Sequence, residues 1–186
     1  MIAGLLLAAG AGRRMGRPKA LVDDWLVRSI GVLREGGCDR VLVVLGAAAE
    51  EARALLPAGQ EVVVADDWDE GMGASLRAGL HALGSGALGS DVEGALVHLV
   101  DLPDVGADVV ARMVRAGADD DATAGLARAA YAGVPGHPVL IGRDHWQGVT
   151  DAAVGDQGAR TYLRSHDVRL VECGDLATGS DVDRAR

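Results

Sequence analysis

Short apolar runs alternate with amphipathic segments along most of the chain, and this alternation constrains the fold more than any other feature. Continuous apolar runs of this length are typical of strands buried on both faces, and apolar residues at helical spacing are typical of the helices between them. The sequence predicts strands at 2–8, 40–45, 61–65 and 95–100, and helices at 25–35, 48–56, 74–83 and 106–117.

Regular alternation of strands and helices predicts right-handed crossovers and a mostly parallel sheet with helices on both faces. We therefore expect residues 1–186 to form a single doubly wound α/β domain, with ligands bound beyond the carboxyl ends of the strands. The alternation weakens after about residue 120, and a loop is predicted at 84–90. In the second half, strands are predicted at 122–127, 137–142 and 167–172, and a helix at 157–165.

The composition narrows the classes of function. A formal net charge of −9 disfavours binding to nucleic acid, because it repels the phosphate backbone. No apolar run approaches the roughly 20 residues of a membrane span, and no basic region precedes the first apolar stretch. Cys38 and Cys173 lie in no metal-binding or disulfide-rich pattern. We expect a cytoplasmic protein with small-molecule partners and no contact with a membrane.

Residues 5–21, LLLAAGAGRRMGRPKAL, contain the strongest functional signal, because a buried strand leads directly into glycines interleaved with cations. Glycines allow backbone N–H groups to approach an anion, and cations neutralise phosphate charge. Lys19 is the single lysine among 18 basic residues. The segment predicts a polyphosphate-binding loop. Its glycines are Gly10, Gly12 and Gly16, and its cations are Arg13, Arg14, Arg17 and Lys19.

Two better-known phosphate-binding patterns do not fit this segment. A Walker loop requires Ser or Thr after the lysine, and Ala20 follows Lys19. A dinucleotide fingerprint requires its third glycine where Met15 stands, and Gly16 comes one residue late.

The segment resembles the signature LAxGxGxRMGxPK of the MobA-like nucleotidyltransferases, which include molybdenum cofactor cytidylyl- and guanylyltransferases. This resemblance implies a Rossmann-like nucleotidyltransferase fold in which the loop surrounds a nucleoside triphosphate. It implies catalytic roles for Arg14 and Lys19, which would stabilise the transferring and leaving groups. Ala8-Ala9-Gly10 resembles the cytidylyltransferase form of the loop. The implied nucleotide-binding residues here are Leu7, Ala8, Ala9, Gly10, Gly12, Arg13, Arg14 and Lys19.

Asp101, in the segment LVDLPDV, follows a predicted strand, where its carboxylate can reach a ligand at the sheet edge. A hard carboxylate suits Mg²⁺, and the similar DxP motif of the family implies that Asp101 is a catalytic metal ligand. Asp104 is either a second ligand or a helix N-cap. Residues 180–183, SDVD, resemble an acidic family segment, which implies that Asp183 is a second Mg²⁺ ligand. The alternative for Asp181 and Asp183 is a solvated tail.

Three further segments resemble parts of the family. Residues 65–80 match a W-xx-G-xxx-SL pattern, which implies that Asp67, Gly71 and Ser75 contact the nucleotide, while Trp68 either packs or stacks on a ligand. Residues 133–142 and 154–163 resemble the GxPV and GDxGAR segments. They imply that His137 and Asp156 bind the acceptor, with structural roles, including helix capping by Asp156, as alternatives.

The resemblance therefore implies transfer of a nucleoside monophosphate, CMP from CTP, to a phosphorylated acceptor of the molybdopterin type, with release of pyrophosphate. A molybdoenzyme or a chaperone is the protein partner that this role would involve. The alternatives are a guanylyltransferase or another NTP transferase, and an NAD(P)H-dependent oxidoreductase of the nicotine blue oxidoreductase type, which shares this fold family. A non-catalytic nucleotide-binding module is a further alternative.

Overall fold

The computed structural model describes residues 1–85, 91–119 and 121–182. These residues form one seven-stranded sheet with α-helices on both faces. The elements are β1 (Ile2–Leu7), α1 (Trp25–Glu35), β2 (Arg40–Leu45), α2 (Ala49–Ala54), β3 (Glu61–Val64), α3 (Met72–Gly84), β4 (Gly94–Leu99), α4 (Ala107–Asp119), β5 (Leu126–Tyr131), β6 (Val134–Gly142), α5 (Trp146–Ala152), α6 (Arg160–Arg164) and β7 (Arg169–Glu172).

The strands lie in the order β3-β2-β1-β4-β6-β5-β7. All neighbours are parallel except β6, which runs antiparallel to both β4 and β5. The chain leaves β1 towards β2 on one side and returns to β4 on the other, so the strand order reverses at β1. In sheets of this kind the crevice at such a reversal is the usual place for a ligand. The predicted doubly wound, mostly parallel sheet is confirmed.

Two apolar clusters hold the helices against the sheet. One contains the buried side chains of α1 and α4, and the other contains those of α3, α5 and α6. Every residue of β1 is buried, because helices cover the central strand on both faces, and this explains its uninterrupted apolar sequence.

Gly79 of α3 marks a close approach between a helix and the sheet. A Cβ atom added to Gly79 would lie 2.6 Å from Leu5 Cδ1 and 3.0 Å from Val44 Cγ2. Both neighbours are fully buried. We expect Gly79→Ala to lower the free energy of unfolding by about 1–3 kcal/mol, because the core must shift to accept the methyl group.

Gly31, in the interior of α1, provides the matched control, because a Cβ atom there would meet nothing within 4 Å. Gly31→Ala is expected to raise the free energy of unfolding by about 0.5–1 kcal/mol, since alanine restricts the unfolded chain and favours the helix. Urea denaturation measures both changes. Equal stability of the two variants would contradict the close approach at Gly79.

The second half of the chain departs most from the sequence prediction. The strand predicted at 122–127 is β5, which begins at Leu126 and forms a hairpin with β6. Helix α5 was not predicted, because its segment WQGVTDA is short and contains a glycine and β-branched residues. Burial of Trp146 and Val149, and a hydrogen bond of 2.9 Å from Trp146 Nε1 to the Ile141 carbonyl, hold this helix in place. Residues 86–90 of the predicted loop at 84–90 lie outside the described residues.

None of the helices in the described ranges has both the length and the apolar composition of a membrane span. Cys38 and Cys173 are buried free thiols.

Candidate active site

A cleft opens where the central strands β1 and β4 end side by side. The parallel register pairs Leu7 with Leu99, and the Val100 N–H donates to the Leu7 carbonyl at 3.3 Å. The segments that follow the two strands therefore flank a common space with a volume of about 350 Å³. Most of the predicted site residues line it: Leu7, Ala8, Ala9, Gly10, Gly12, Arg13, Arg14, Lys19, Gly71, Ser75, Asp101 and Asp156.

The loop after β1 is built around a tight turn at Gly12. Gly12 has a φ of 60°, and its carbonyl accepts hydrogen bonds from the N–H groups of Met15 at 2.8 Å and Gly16 at 2.9 Å. A Cβ atom at Gly12 would lie 1.9 Å from the Arg17 carbonyl oxygen, so no other residue fits this backbone. At Gly10, by contrast, a Cβ atom would meet nothing within 4 Å, which leaves open space beside the backbone in the cleft.

Lys19 and Asp101 form an ion pair in the cleft although they lie 82 residues apart in sequence. Both groups are largely withdrawn from solvent, with side-chain exposures of 19% for Lys19 and 12% for Asp101. The pair places the only lysine of the chain and the carboxylate that follows β4 within reach of one ligand. A polyphosphate and a divalent cation are the ligands that suit these two charges.

The donor set around Asp101 fits a sparse Mg²⁺ site. No group of three or more His, Cys, Asp or Glu side chains within the described part of the chain is arranged to hold a metal. Mg²⁺ commonly takes one or two protein carboxylates and completes its coordination with water and substrate phosphates. Asp101, which lines the same cleft as the glycine-rich loop, meets that requirement.

The C-terminal segment returns to the cleft beside Asp101. The Val182 N–H donates to the Asp101 carbonyl at 3.0 Å, and the Thr178 N–H donates to the Asp104 carboxylate at 2.7 Å. Asp104 therefore binds this segment. Its described hydrogen bonds go to Thr178 and not to the N–H groups of α4, as an N-cap would require. Asp183, the predicted second metal ligand, lies outside the described residues.

Gly71 brings the segment before α3 against the turn that contains Asp156. Gly71 has a φ of 116°, and a Cβ atom there would lie 2.5 Å from Asp156 Oδ1. Ser75 is buried in the first turns of α3 and also lines the cleft, as does Trp68. The wall opposite the glycine-rich loop is thus formed by two segments that are distant in sequence.

Asp67 is the predicted nucleotide-binding residue that the structure does not bring to the cleft lining. Its carboxylate accepts a hydrogen bond of 2.8 Å from Arg77 Nη2, and the same guanidinium reaches Glu70 at 2.9 Å and the Ala153 carbonyl at 2.7 Å. Among the described contacts, Arg77 therefore links Asp67, in the segment before α3, to the turn after α5.

His137, the other predicted acceptor-binding residue, also does not line the cleft. It is half-buried on β6, and its carbonyl accepts a hydrogen bond of 2.7 Å from the Tyr131 hydroxyl. Burial, together with the charges of Arg128 and Arg160, lowers the pKa of His137 to about 4. The imidazole is therefore neutral near pH 7.

Sequence reasoning missed His98. His98 lies on β4 and is buried, and its Nδ1 has no hydrogen-bond partner among the described residues. Burial, and then the charge of His137, lowers the pKa of His98 to about 3. The signal in the sequence was a histidine inside an apolar strand, LVHLV.

The MobA-like NTP transferase domain family matches residues 4–170. The chain belongs to this family. Its sequence is 37% identical to nicotine blue oxidoreductase from Paenarthrobacter nicotinovorans, over 98% of this chain and 92% of that protein.

Solved structures of similar sequence share the fold of this chain. The crystal structure of Rv0371c from Mycobacterium tuberculosis H37Rv is 30% identical with a TM-score of 0.79, covering 98% of this chain and 93% of that one. A complex of Rv0371c with manganese is similar at 28% identity and a TM-score of 0.77, covering 97% of this chain and 93% of that one. The match of the family to residues 4–170 confirms, at the level of the family, the resemblance inferred from the glycine-rich loop.

Proposed function

We propose that the protein is a Mg²⁺-dependent nucleotidyltransferase that moves a nucleoside monophosphate from a nucleoside triphosphate to a phosphorylated small molecule. The observation that carries this proposal is the Lys19–Asp101 pair beneath a glycine-rich loop, in the crevice between β1 and β4. A bound triphosphate requires a cation, a carboxylate that can hold its metal ion, and accessible backbone N–H groups, all close together.

The residues of the chain act by binding and positioning. An oxygen of the acceptor phosphate forms a bond to the α-phosphorus, the bond to the β-phosphate oxygen breaks, and pyrophosphate leaves. The N–H groups around Gly10 and Gly12 hold the phosphates, and Lys19 and Arg14 neutralise the charge that develops on the leaving group. The acceptor phosphate is already ionised near neutral pH, so no protein nucleophile or base is needed.

Asp101 would hold the divalent cation, and we extend this role to Asp183. When bound, Mg²⁺ neutralises charge on the phosphates and orients them. The manganese complex of Rv0371c supports a divalent cation in a related protein, and the identity of the ion as Mg²⁺ is part of the proposal.

For the substrates we propose CTP and an acceptor of the molybdopterin type. The support for CTP is the Ala8-Ala9-Gly10 sequence of the loop, which is similar to the cytidylyltransferase form. Of the nucleotide contacts predicted outside the loop, Gly71 and Ser75 line the same cleft and Asp67 does not.

An NAD(P)H-dependent oxidoreductase is the second candidate, and the 37% identity to nicotine blue oxidoreductase favours it. A dinucleotide also carries phosphates that the loop after β1 could bind. The two candidates differ in their products, because only nucleotidyl transfer releases pyrophosphate.

The deciding experiment incubates the protein with Mg²⁺, a molybdopterin-type cofactor and CTP, GTP, ATP or UTP in turn, and measures pyrophosphate. A parallel reaction replaces the triphosphate with NADH or NADPH and nicotine blue, and follows oxidation of the nucleotide. We expect pyrophosphate release with CTP and no dependence of NAD(P)H oxidation on the protein. Reduction of the dye without pyrophosphate release would establish the second candidate instead.

A further inference from the structure

We infer that Asp104 and Thr178 are positioning residues for the proposed metal site, because their contact holds the C-terminal segment, residues 173–182, against the loop that carries Asp101. The metal-binding role of Asp101 rests on the proposed function. The attachment of the segment rests on hydrogen bonds between described residues.

The loop after β4, residues 100–105, carries Asp101 past the end of its strand. The Val100 N–H still donates to the Leu7 carbonyl of β1 at 3.3 Å. Among the described backbone hydrogen bonds, the partner of the Asp101 carbonyl is the Val182 N–H, at 3.0 Å. The peptide unit of the proposed metal ligand is therefore held by a distant part of the chain and not by a neighbouring strand.

The segment that supplies this N–H depends on side-chain contacts for its own position. Residues 173–182 form neither a helix nor a strand. The Thr178 N–H and hydroxyl both donate to the Asp104 carboxylate, at 2.7 Å and 2.5 Å. Thr178 Oγ in turn accepts from the Ser180 N–H at 3.3 Å. Hydrogen bonds to a carboxylate are stronger than neutral ones, so this contact fixes the backbone that leads to Val182.

Two further contacts direct the segment towards the same loop. Arg112 of α4 binds the Asp175 carboxylate through both Nη atoms, at 2.6 Å and 2.9 Å. Gly179 has a φ of 66° and lies against the ring of Tyr131, where a Cβ atom would be 2.2 Å from Cε2. Since these contacts lie on either side of Thr178 in sequence, the segment follows a defined path from α4 to the loop after β4.

The orientation of Asp101 matters because a sparse site relies on few protein ligands. Outer contacts orient the carboxylates that bind a metal, and their loss typically weakens metal binding by about 10–100-fold. Lys19 pairs with the same carboxylate, so a loop that is free to move would let the ion pair compete better with the metal. Breaking the contact between Asp104 and Thr178 should therefore weaken metal binding without removing a ligand.

The test uses isosteric variants of Thr178, which is exposed, so its replacement is compatible with folding. Thr178→Val removes the hydroxyl and keeps the shape of the side chain, and Thr178→Ser restores the hydroxyl. Thr123→Val is the matched control. The Thr123 N–H and hydroxyl donate to the Asp121 carboxylate at 3.0 Å and 2.9 Å, which is the same arrangement at a place that does not line the cleft.

Two NMR measurements follow the consequences without any nucleotide. Hydrogen exchange of the Val182 N–H reports whether the segment is held, and a titration with Mn²⁺ alone, followed by paramagnetic broadening of the Asp101 amide signal, reports metal affinity. In Thr178→Val we expect exchange to be faster and Mn²⁺ affinity to be weaker, each by about fivefold or more. Thr178→Ser and Thr123→Val should keep the native values.

Native exchange at Val182 in Thr178→Val would overturn the inference, as would faster exchange with native Mn²⁺ affinity. If Mn²⁺ did not broaden the Asp101 signal in the native protein, the metal site and the positioning role would both be wrong. Mn²⁺ binding that depends on Thr178, together with no release of pyrophosphate, would count against the proposed function alone.

Discussion

Replacing Asp101 with asparagine is expected to reduce pyrophosphate release by at least about a hundredfold, because the neutral amide is a poor ligand for the divalent cation. The expectation follows from the position of the carboxylate, which is largely buried beside the glycine-rich loop and faces Lys19. Steady-state rates over a range of Mg²⁺ concentrations provide the measurement. A loss that high Mg²⁺ partly restores would identify metal binding as the function of the carboxylate.

Two controls separate this effect from a loss of folding. Asp101→Asn removes one charge of a largely buried ion pair, so the thermal midpoint must be recorded and the rates compared well below it. Asp108→Asn removes an exposed carboxylate on the first turn of α4, outside the cleft, and is expected to keep the native rate. If Asp101→Asn turned over CTP as fast as Asp108→Asn, the assignment of Asp101 to the metal would be wrong.

Gly12→Ala is expected to weaken nucleotide binding by at least about tenfold and to lower the free energy of unfolding by about 1–3 kcal/mol. The added Cβ atom would overlap the Arg17 carbonyl, at 1.9 Å, and the φ of 60° is unfavourable for alanine. The loop must therefore open, and its N–H groups lose their arrangement around the phosphates. Equilibrium binding of CTP and denaturant unfolding measure the two effects.

Gly10→Ala is the companion variant in the same loop. A Cβ atom at Gly10 meets nothing within 4 Å, so the free energy of unfolding should remain close to the native value. Binding of CTP should still weaken, because the methyl group occupies space that we assign to the phosphates. Native affinity in Gly10→Ala would place the triphosphate elsewhere in the cleft, and native stability in Gly12→Ala would contradict the turn geometry.

The comparisons indicate two different reactions. The chain belongs to an NTP transferase family, and it is also similar to a protein named as an oxidoreductase. Fold alone does not decide between them, because one scaffold can carry unrelated activities. Our proposal of nucleotidyl transfer rests on the Lys19–Asp101 pair, which suits a metal-bound triphosphate. The substitutions at Asp101 and Gly12 therefore test the reaction as well as the residues.

Much of the first half of the fold could be predicted from the sequence because its signals are local. β1 and β2 are continuous apolar runs, α1 and α3 show helical spacing, and each is found close to its predicted bounds. The glycine-rich loop was equally predictable, because the residues that shape it are neighbours in the chain. The family resemblance rested on that same short segment, and the family is confirmed.

The fold of the second half depends on contacts between residues that are distant in sequence, which local sequence patterns do not reveal. β6 pairs antiparallel with both β4 and β5, which are distant from each other in sequence. Helix α5 has weak intrinsic helix propensity and is held by burial of Trp146. Tertiary packing overrides propensity in such segments, and this explains why the sequence predicted them poorly.

The sequence by itself determined the α/β class, the glycine-rich loop after β1 and the separate candidates Lys19 and Asp101. Only the tertiary structure decided that these two side chains meet in one cleft and that Asp67 binds Arg77. The physical reason is that a side chain acquires its partner, its burial and its pKa from residues that are remote in sequence. Those properties arise only when the strands take their order in the sheet.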